Sequence, residues 1–227
     1  MSPELPPLVM EGDASVKDAD VCAMSTIPNQ SVVVGADGGL ANVFIYLGKA
    51  PSGAKFEDAD GAVDFDQKGC TFTPHCLAIR TGQIIHLLNS DGVPHNVHTK
   101  PTRNSAMNST LQPNDAKGIE LKYDKLENVP VQVVCDIHAW MTAYHLPVDH
   151  PFVAVTDADG KFEIPNLPAG KHKFRIWHEK AGLLDKEYEV TVQGGDQTTE
   201  VEISYPAAKL AQHEGPESKR VILSFAN

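Results

Sequence analysis

Apolar and polar residues alternate along most of this chain. "GIELKYD" sets Ile119, Leu121 and Tyr123 on one side, and "VPVQVVC" does the same with Val131, Val133 and Cys135. "CLAIRTGQIIHLLN" reads as strand, turn at Gly82, strand, and "AVTDADGKFEI" as a hairpin turning through Asp157 to Gly160. "GGLANVFIYL", "KFRIWH", "KEYEVTV" and "TEVEISY" add further runs of the same kind. Successive side chains of a strand point to opposite faces, so each run predicts a strand with one buried face. No long segment repeats with the helical period of about 3.6 residues, so any helix is short. The expected fold class is all-β.

Sixteen prolines and seventeen glycines punctuate these runs in a chain of 227 residues, enough for one large β domain or two small ones. Residues 151–205 offer about four strands, too few for an independent sandwich. Residues 30–48 can supply the missing ones. The chain therefore reads as a discontinuous sandwich of residues 1–54 plus 151–205, with residues 55–150 inserted as a second domain. Residues 206–227, polar with a late apolar patch "RVILSFAN", read as a C-terminal extension.

An apolar content of 41% marks a globular chain. No apolar run approaches the roughly eighteen residues of a membrane span. The start, "MSPELPPLVM", has neither the basic residues nor the apolar stretch of a secretion signal, although a chain with its leader removed looks the same. A formal charge of −11 argues against nucleic acid as a partner and fits a soluble protein whose charged partner is basic.

The candidate chemistry lies in "VVCDIHAWM", where Cys135, His138 and Met141 follow the pattern C-x2-H-x2-M. Cys135 is in phase with Val131 and Val133, so it faces the core at a strand end, and a short loop can return His138 and Met141 to the same point. His95, in "NSDGVPHNVH", follows another strand end. Separately, a buried Cys is a small hydrophobe and a Met is core filler. Together, one thiolate and two imidazoles with a weak thioether form the donor set of a blue-copper site. His98 is three residues from His95, on the opposite strand face, and is not expected to share the metal.

At these residues the chain resembles the cupredoxins, most of all those of the amicyanin and plastocyanin type. "PHNVH" (94–98) and "CDIHAWM" (135–141) carry the resemblance, which spans roughly residues 66–148 and includes a hairpin-like approach, "FTPHCLAIRTGQIIHLLNSDGVPHN". It implies a Greek-key β-sandwich holding one Cu(I)/Cu(II) ion on His95, Cys135, His138 and Met141, with Asn96 behind them tying the two ligand segments together. Ala139 stands where the family often has proline, and His145 and His150 follow Met141 in place of a plain closing strand. His75 and His145 are the further candidates for metal neighbours. The remaining residues, "GADGGLANVFIYL" and "TDADGKFEIPNLPAGKHKFRI", resemble a smaller transthyretin-like, carboxypeptidase-regulatory β-sandwich. A calcium reading of Asp157 and Asp159 lacks the rest of a binding loop, and a hairpin turn accounts for them better.

With Cys135 on copper, three cysteines remain. Cys70 and Cys76 lie roughly 20 Å apart if the chain between them is extended, too far for a disulfide. Cys70, in a loop beside Gly69, is the expected partner of Cys22, which implies an oxidising compartment, periplasmic or secreted. Three thiols in a reducing cell are the alternative. A closed four-ligand site has no open position for substrate, so the chain is expected to be an electron carrier and not an enzyme. The outer ring edge of His138, in a small apolar patch, is the expected electron port, and a basic redox protein such as a c-type cytochrome the expected partner. A copper carrier, or a cell-envelope binding module with a secondary copper site, are the alternatives.

Overall fold

The computed structural model describes residues 5–195, 198–210 and 220–226, the last stretch by its backbone alone. Near the start lies a short helix, α1 (Ala19–Cys22), followed by β1 (Phe44–Leu47). Nine strands follow: β2 (Val63–Gln67), β3 (Phe72–Thr73), β4 (Cys76–Arg80), β5 (Ile84–Asn89), β6 (His95–Lys100), β7 (Asn108–Leu111), β8 (Asp115–Lys122), β9 (Val131–Val134) and β10 (Thr142–Val148). The chain ends with β11 (Val153–Val155), β12 (Lys161–Glu163), β13 (Gly170–His178), β14 (Gly182–Val192), β15 (Val201–Pro206) and β16 (Arg220–Ala226). The protein is all-β, and no helix among the described residues is long and apolar enough to cross a membrane.

Two compact units emerge, one built from Ser31–Glu57 and the chain from Asp149 onward, the other from Leu5–Gln30 and Asp58–Val148. The first unit holds two sheets, ordered β11-β1-β13-β14 and β12-β16-β15. Ile45, Phe174 and Val190 from one sheet and Phe162 and Ile203 from the other share one core. Residues 220–226 are thus a strand paired with both β12 and β15, where the composition reads as an extension.

The second unit carries the candidate site. Its sheets run β3-β2-β5-β8 and β4-β10-β9-β6-β7. Phe65, Phe72, Ile85, Leu87 and Leu121 face Ile79, Val97, Leu111, Val131 and Val133 across a single core. Each such side chain contributes roughly 1.5–3 kcal/mol on leaving water. Residues 5–30, which the sequence assigns to the other module, belong here: Val9, Cys22, Ala23 and Ile27 are buried in this core.

Two turns do other work than the alternation predicts. Around Gly82 it predicts a hairpin, yet β4 pairs with β10 and β5 with β2 and β8. The turn carries the chain from one sheet to the other. Likewise Asp157–Gly160 makes a tight turn, its Gly160 N–H donating to the Asp157 carbonyl at 3.0 Å, but β11 pairs with β1 and β12 with β16. A period of two tells which face is buried but not which strand lies alongside.

One carboxylate pins the segment that follows β6. Glu127, 2% exposed, accepts from the backbone N–H groups of Thr102, Arg103 and Asn104 and from the Thr102 hydroxyl and Asn104 amide. Burial pushes its pKa up, but the hydrogen bonds outweigh burial and hold it below the usual carboxylate range. With the folded pKa depressed, its contribution is complete above the unfolded pKa and is lost as pH falls through the folded one. Glu127→Gln is therefore expected to cost about 2 kcal/mol at neutral pH and progressively less in acid. Urea unfolding of both proteins at neutral and at acid pH checks this, and an equal loss in both would contradict it.

Candidate metal centre

Strands β6 and β9 are antiparallel neighbours, with His98 opposite Val134 and Thr99 opposite Val133. The start of one and the end of the other therefore lie at the same end of the sheet. His95 opens β6, and Cys135 follows β9. The loop from β9 to β10 closes on itself: the Met141 N–H donates to the His138 carbonyl at 2.9 Å, and the Cys135 N–H to the Met141 carbonyl at 3.2 Å. Donor atoms of His95, Cys135 and His138 all lie within 4.8 Å of one another. His95 and His138 are fully buried, Met141 is 1% exposed and Cys135 2%. Met141 thus closes the loop that holds Cys135 and His138 and shares a core with Cys135.

The two imidazoles are each held from behind. His95 Nε2 lies 2.9 Å from Asp91 Oδ2, and His138 Nε2 lies 2.9 Å from Asp18 Oδ2. A carboxylate only accepts, so each ring carries a proton on Nε2. Both Nδ1 atoms then point inward, 2.9 Å apart, with the Cys135 sulfur 3.8 Å from His138 Nδ1. Two neutral rings in this pose aim one lone pair at another. Only a positive charge resolves the conflict, either a proton or a metal cation. Histidine ligands backed by carboxylates are the usual outer arrangement of metal sites. Thiolate and imidazole together suit copper. The residues present therefore fit a metal ion.

Electrostatics agree with the donor set. Burial pushes the Cys135 thiol up, but hydrogen bonds from His138 and His95 and from backbone N–H groups outweigh it and bring the pKa down to about 6. For His95, burial pushes down, while Asp91 and then Cys135 pull up and win, raising the pKa to about 9. Metal-free, the pair rests as thiolate and imidazolium, titrating as a unit.

Asn96 joins the two ligand segments. Its Oδ1 accepts from the Asp136 N–H at 2.8 Å, and its Nδ2 donates to Asn108 Oδ1 at 2.8 Å and Asp136 Oδ2 at 3.0 Å. The thiol of Cys135 lies 3.4 Å from the same Oδ1. His98 contacts Asp136 at 3.0 Å and, with the other donors, keeps that carboxylate below its usual range.

Among the described residues, no further histidine joins the cluster of His95, Cys135 and His138. The His75 ring packs edge-on against Tyr144, with centroids 6.0 Å apart. His145 is fully buried, its Nδ1 in hydrogen-bond contact with the Tyr123 hydroxyl at 3.1 Å, and burial lowers its pKa to about 3. His150 donates from Nε2 to the Leu47 carbonyl at 3.1 Å in the first unit. Cys22 and Cys70 form a disulfide, and Cys76 stays outside it.

Two site residues escape the sequence reading. Asp91 sits four residues before His95, a short-range signal open to inspection. Asp18 lies 120 residues from His138 and has no local signal at all. Its presence corrects the expected electron port: the outer edge of His138 is fully buried under Asp18, where the loop pattern predicts an exposed ring in an apolar patch.

No family model matches the chain, and no curated protein matches it. Among solved structures it is similar to a copper-containing nitrite reductase from Thermus scotoductus SA-01, at 17% identity and a TM-score of 0.36 over 44% of this chain. The chain spans a quarter (25%) of that protein's length. It is similar to a purple cupredoxin from Nitrosopumilus maritimus, at 18% identity and a TM-score of 0.32, covering 38% of this chain and 99% of that one. An amicyanin from Paracoccus versutus aligns at 14% identity and a TM-score of 0.34, covering 53% and 93%. These likenesses are slight.

Proposed function

We propose that His95, Cys135, His138 and Met141 bind one copper ion in a type 1 centre that transfers electrons by an outer-sphere route. A single observation carries this: two carboxylates fix both Nε2–H groups outward, leaving the two Nδ1 atoms 2.9 Å apart with a buried cysteine sulfur 3.8 Å from one of them. When bound, the copper supplies a one-electron couple. The chain's own residues hold the ligands rigid through Asp91, Asp18 and Asn96 and exclude water by burial, so little has to rearrange when charge changes. The burial of all four side chains leaves no approach for a substrate, which favours a carrier over an enzyme.

A basic redox protein such as a c-type cytochrome fits the partner role, given 30 acidic residues against 19 basic ones. The disulfide supports a periplasmic or secreted location. For the first unit, the likeness of its residue pattern to transthyretin-like modules supports a binding role. The second reading is copper sequestration, favoured by the cover that Asp18 places over His138. Chelator competition separates the two: a carrier exchanges electrons with small oxidants far faster than it yields copper, and a store does neither quickly.

Proton release gives a direct test of the ligand set. Between the two titrations of the pair, at about 6 and about 9, the metal-free site holds one proton that binding must displace. Copper affinity is therefore expected to rise about tenfold per pH unit in this window, and to level off above it. Calorimetry in two buffers of different ionisation enthalpy should count about one proton released at pH 7.5. No release at all would contradict thiolate and imidazolium as the resting pair.

A further inference from the structure

We propose that residues 5–30 form a latched cover over the metal loop, and that Asp18 is the positioning residue for His138. The role of His138 as a ligand rests on the copper reading, but the cover itself does not. The segment doubles back on itself: the Leu8 N–H donates to the Ile27 carbonyl at 2.9 Å, the Ile27 N–H to the Val9 carbonyl at 2.9 Å, and the Gly12 N–H to the Ala23 carbonyl at 2.8 Å. Val9 and Ile27 bury one face of this ribbon in the unit's core, while Leu8 and Met10 stand exposed on the other.

Asp18 is placed by the turn before α1. Its φ of 53° lies in the left-handed region, costly for a residue with a side chain and held only when its surroundings require it. One helical turn on, the Cys22 N–H donates to the Asp18 carbonyl at 2.8 Å, so whatever fixes Cys22 fixes Asp18. What fixes Cys22 is its disulfide to Cys70.

Cys70 in turn touches both other supports of the site. Its N–H donates to Asp91 Oδ2 at 2.7 Å, the same oxygen that holds His95 Nε2. Its carbonyl accepts from Trp140 Nε1 at 3.1 Å, and the Trp140 ring lies 5.1 Å from that of His138. The disulfide therefore joins the two carboxylates that orient the two imidazoles. His138 is closed in between Trp140 and Asp18, and access to its outer edge requires the cover to lift.

The test uses the full chain, metal-free, with diethyl pyrocarbonate as the probe and mass spectrometry to follow modification of His138. The wild-type ring should be protected. Asp18→Ala, with the disulfide intact, should raise the rate by about tenfold or more, the factor that one lost charge-assisted hydrogen bond gives. Asp18→Asn keeps an oxygen acceptor and should stay near wild type. Cys22→Ser with Cys70→Ser should behave as Asp18→Ala does. The proton shift of the His138 Nε2–H supplies the readout that mere loosening would not move: a downfield, hydrogen-bonded position in wild type and Asp18→Asn, and loss of that position in Asp18→Ala. Equal reactivity of His138 in wild type and Asp18→Ala, or an unchanged Nε2–H shift, would overturn the proposal. Protection without any copper binding would instead sink the copper reading and leave the cover standing.

Discussion

Replacing Cys135 with serine is expected to lower copper affinity by two to three orders of magnitude and to remove any intense visible band. Four-ligand structural sites bind divalent metal by roughly 10–16 kcal/mol, so one strong ligand carries about 3–4. The thiolate is the strong member of this set, because its pKa of about 6 makes it available at neutral pH without further cost. Serine offers a hydroxyl that does not ionise there. The fold should survive, since the two side chains differ little in size and Cys135 sits at a strand end. Met141→Leu is the informative contrast: it keeps an apolar side chain of similar volume and removes only the weak donor, so affinity should change by less than about tenfold. Competition against a chelator of known affinity measures both. An affinity for Cys135→Ser within a factor of about three of wild type would contradict a thiolate-centred site.

The second large effect is on stability. Cys22 and Cys70 close a loop with a sequence separation of 48, and Cα atoms 5.4 Å apart. Cross-linking a loop of that length removes chain entropy from the unfolded state worth about 4 kcal/mol. Their replacement by serine also leaves two hydroxyls in places 2% and 0% exposed. The double variant is therefore expected to unfold at much lower denaturant concentration, by about 4 kcal/mol, with a steeper slope because the unfolded chain without the cross-link exposes more surface. A loss under about 1 kcal/mol would mean that residues 5–30 hold to the unit without the disulfide.

The cluster of His95, Cys135 and His138 was legible because local pattern and donor chemistry coincide there. Val131, Val133 and Cys135 alternate into the core, and the tight loop after them returns His138 by backbone bonds between close neighbours in sequence. His95 stands at the start of the adjacent strand. What the pattern could not carry was pairing over distance. β4 finds its parallel partner in β10, with Cys76 opposite Tyr144, and nothing near Gly82 marks that the next strand leaves for the other sheet. Parallel pairs of this kind are fixed by the whole core and not by a turn. The same limit hid Asp18. One of two acids in "SVKDADVC", it has no periodicity to betray it, and its link to His138 exists only because α1 is tied through Cys22 to Cys70. Residues 220–226 show a third case: the apolar patch is plain, but its role as a strand between β12 and β15 depends on partners outside the patch.

A buried thiolate and two carboxylate-backed imidazoles are expected to hold copper. The visible absorption and electron paramagnetic resonance spectra of the copper-loaded chain test it most directly. An intense thiolate-to-copper charge-transfer band with narrow copper hyperfine splitting, both lost in Cys135→Ser, is the predicted result. A nearly colourless protein with an ordinary tetragonal copper spectrum, unchanged by that substitution, would contradict it.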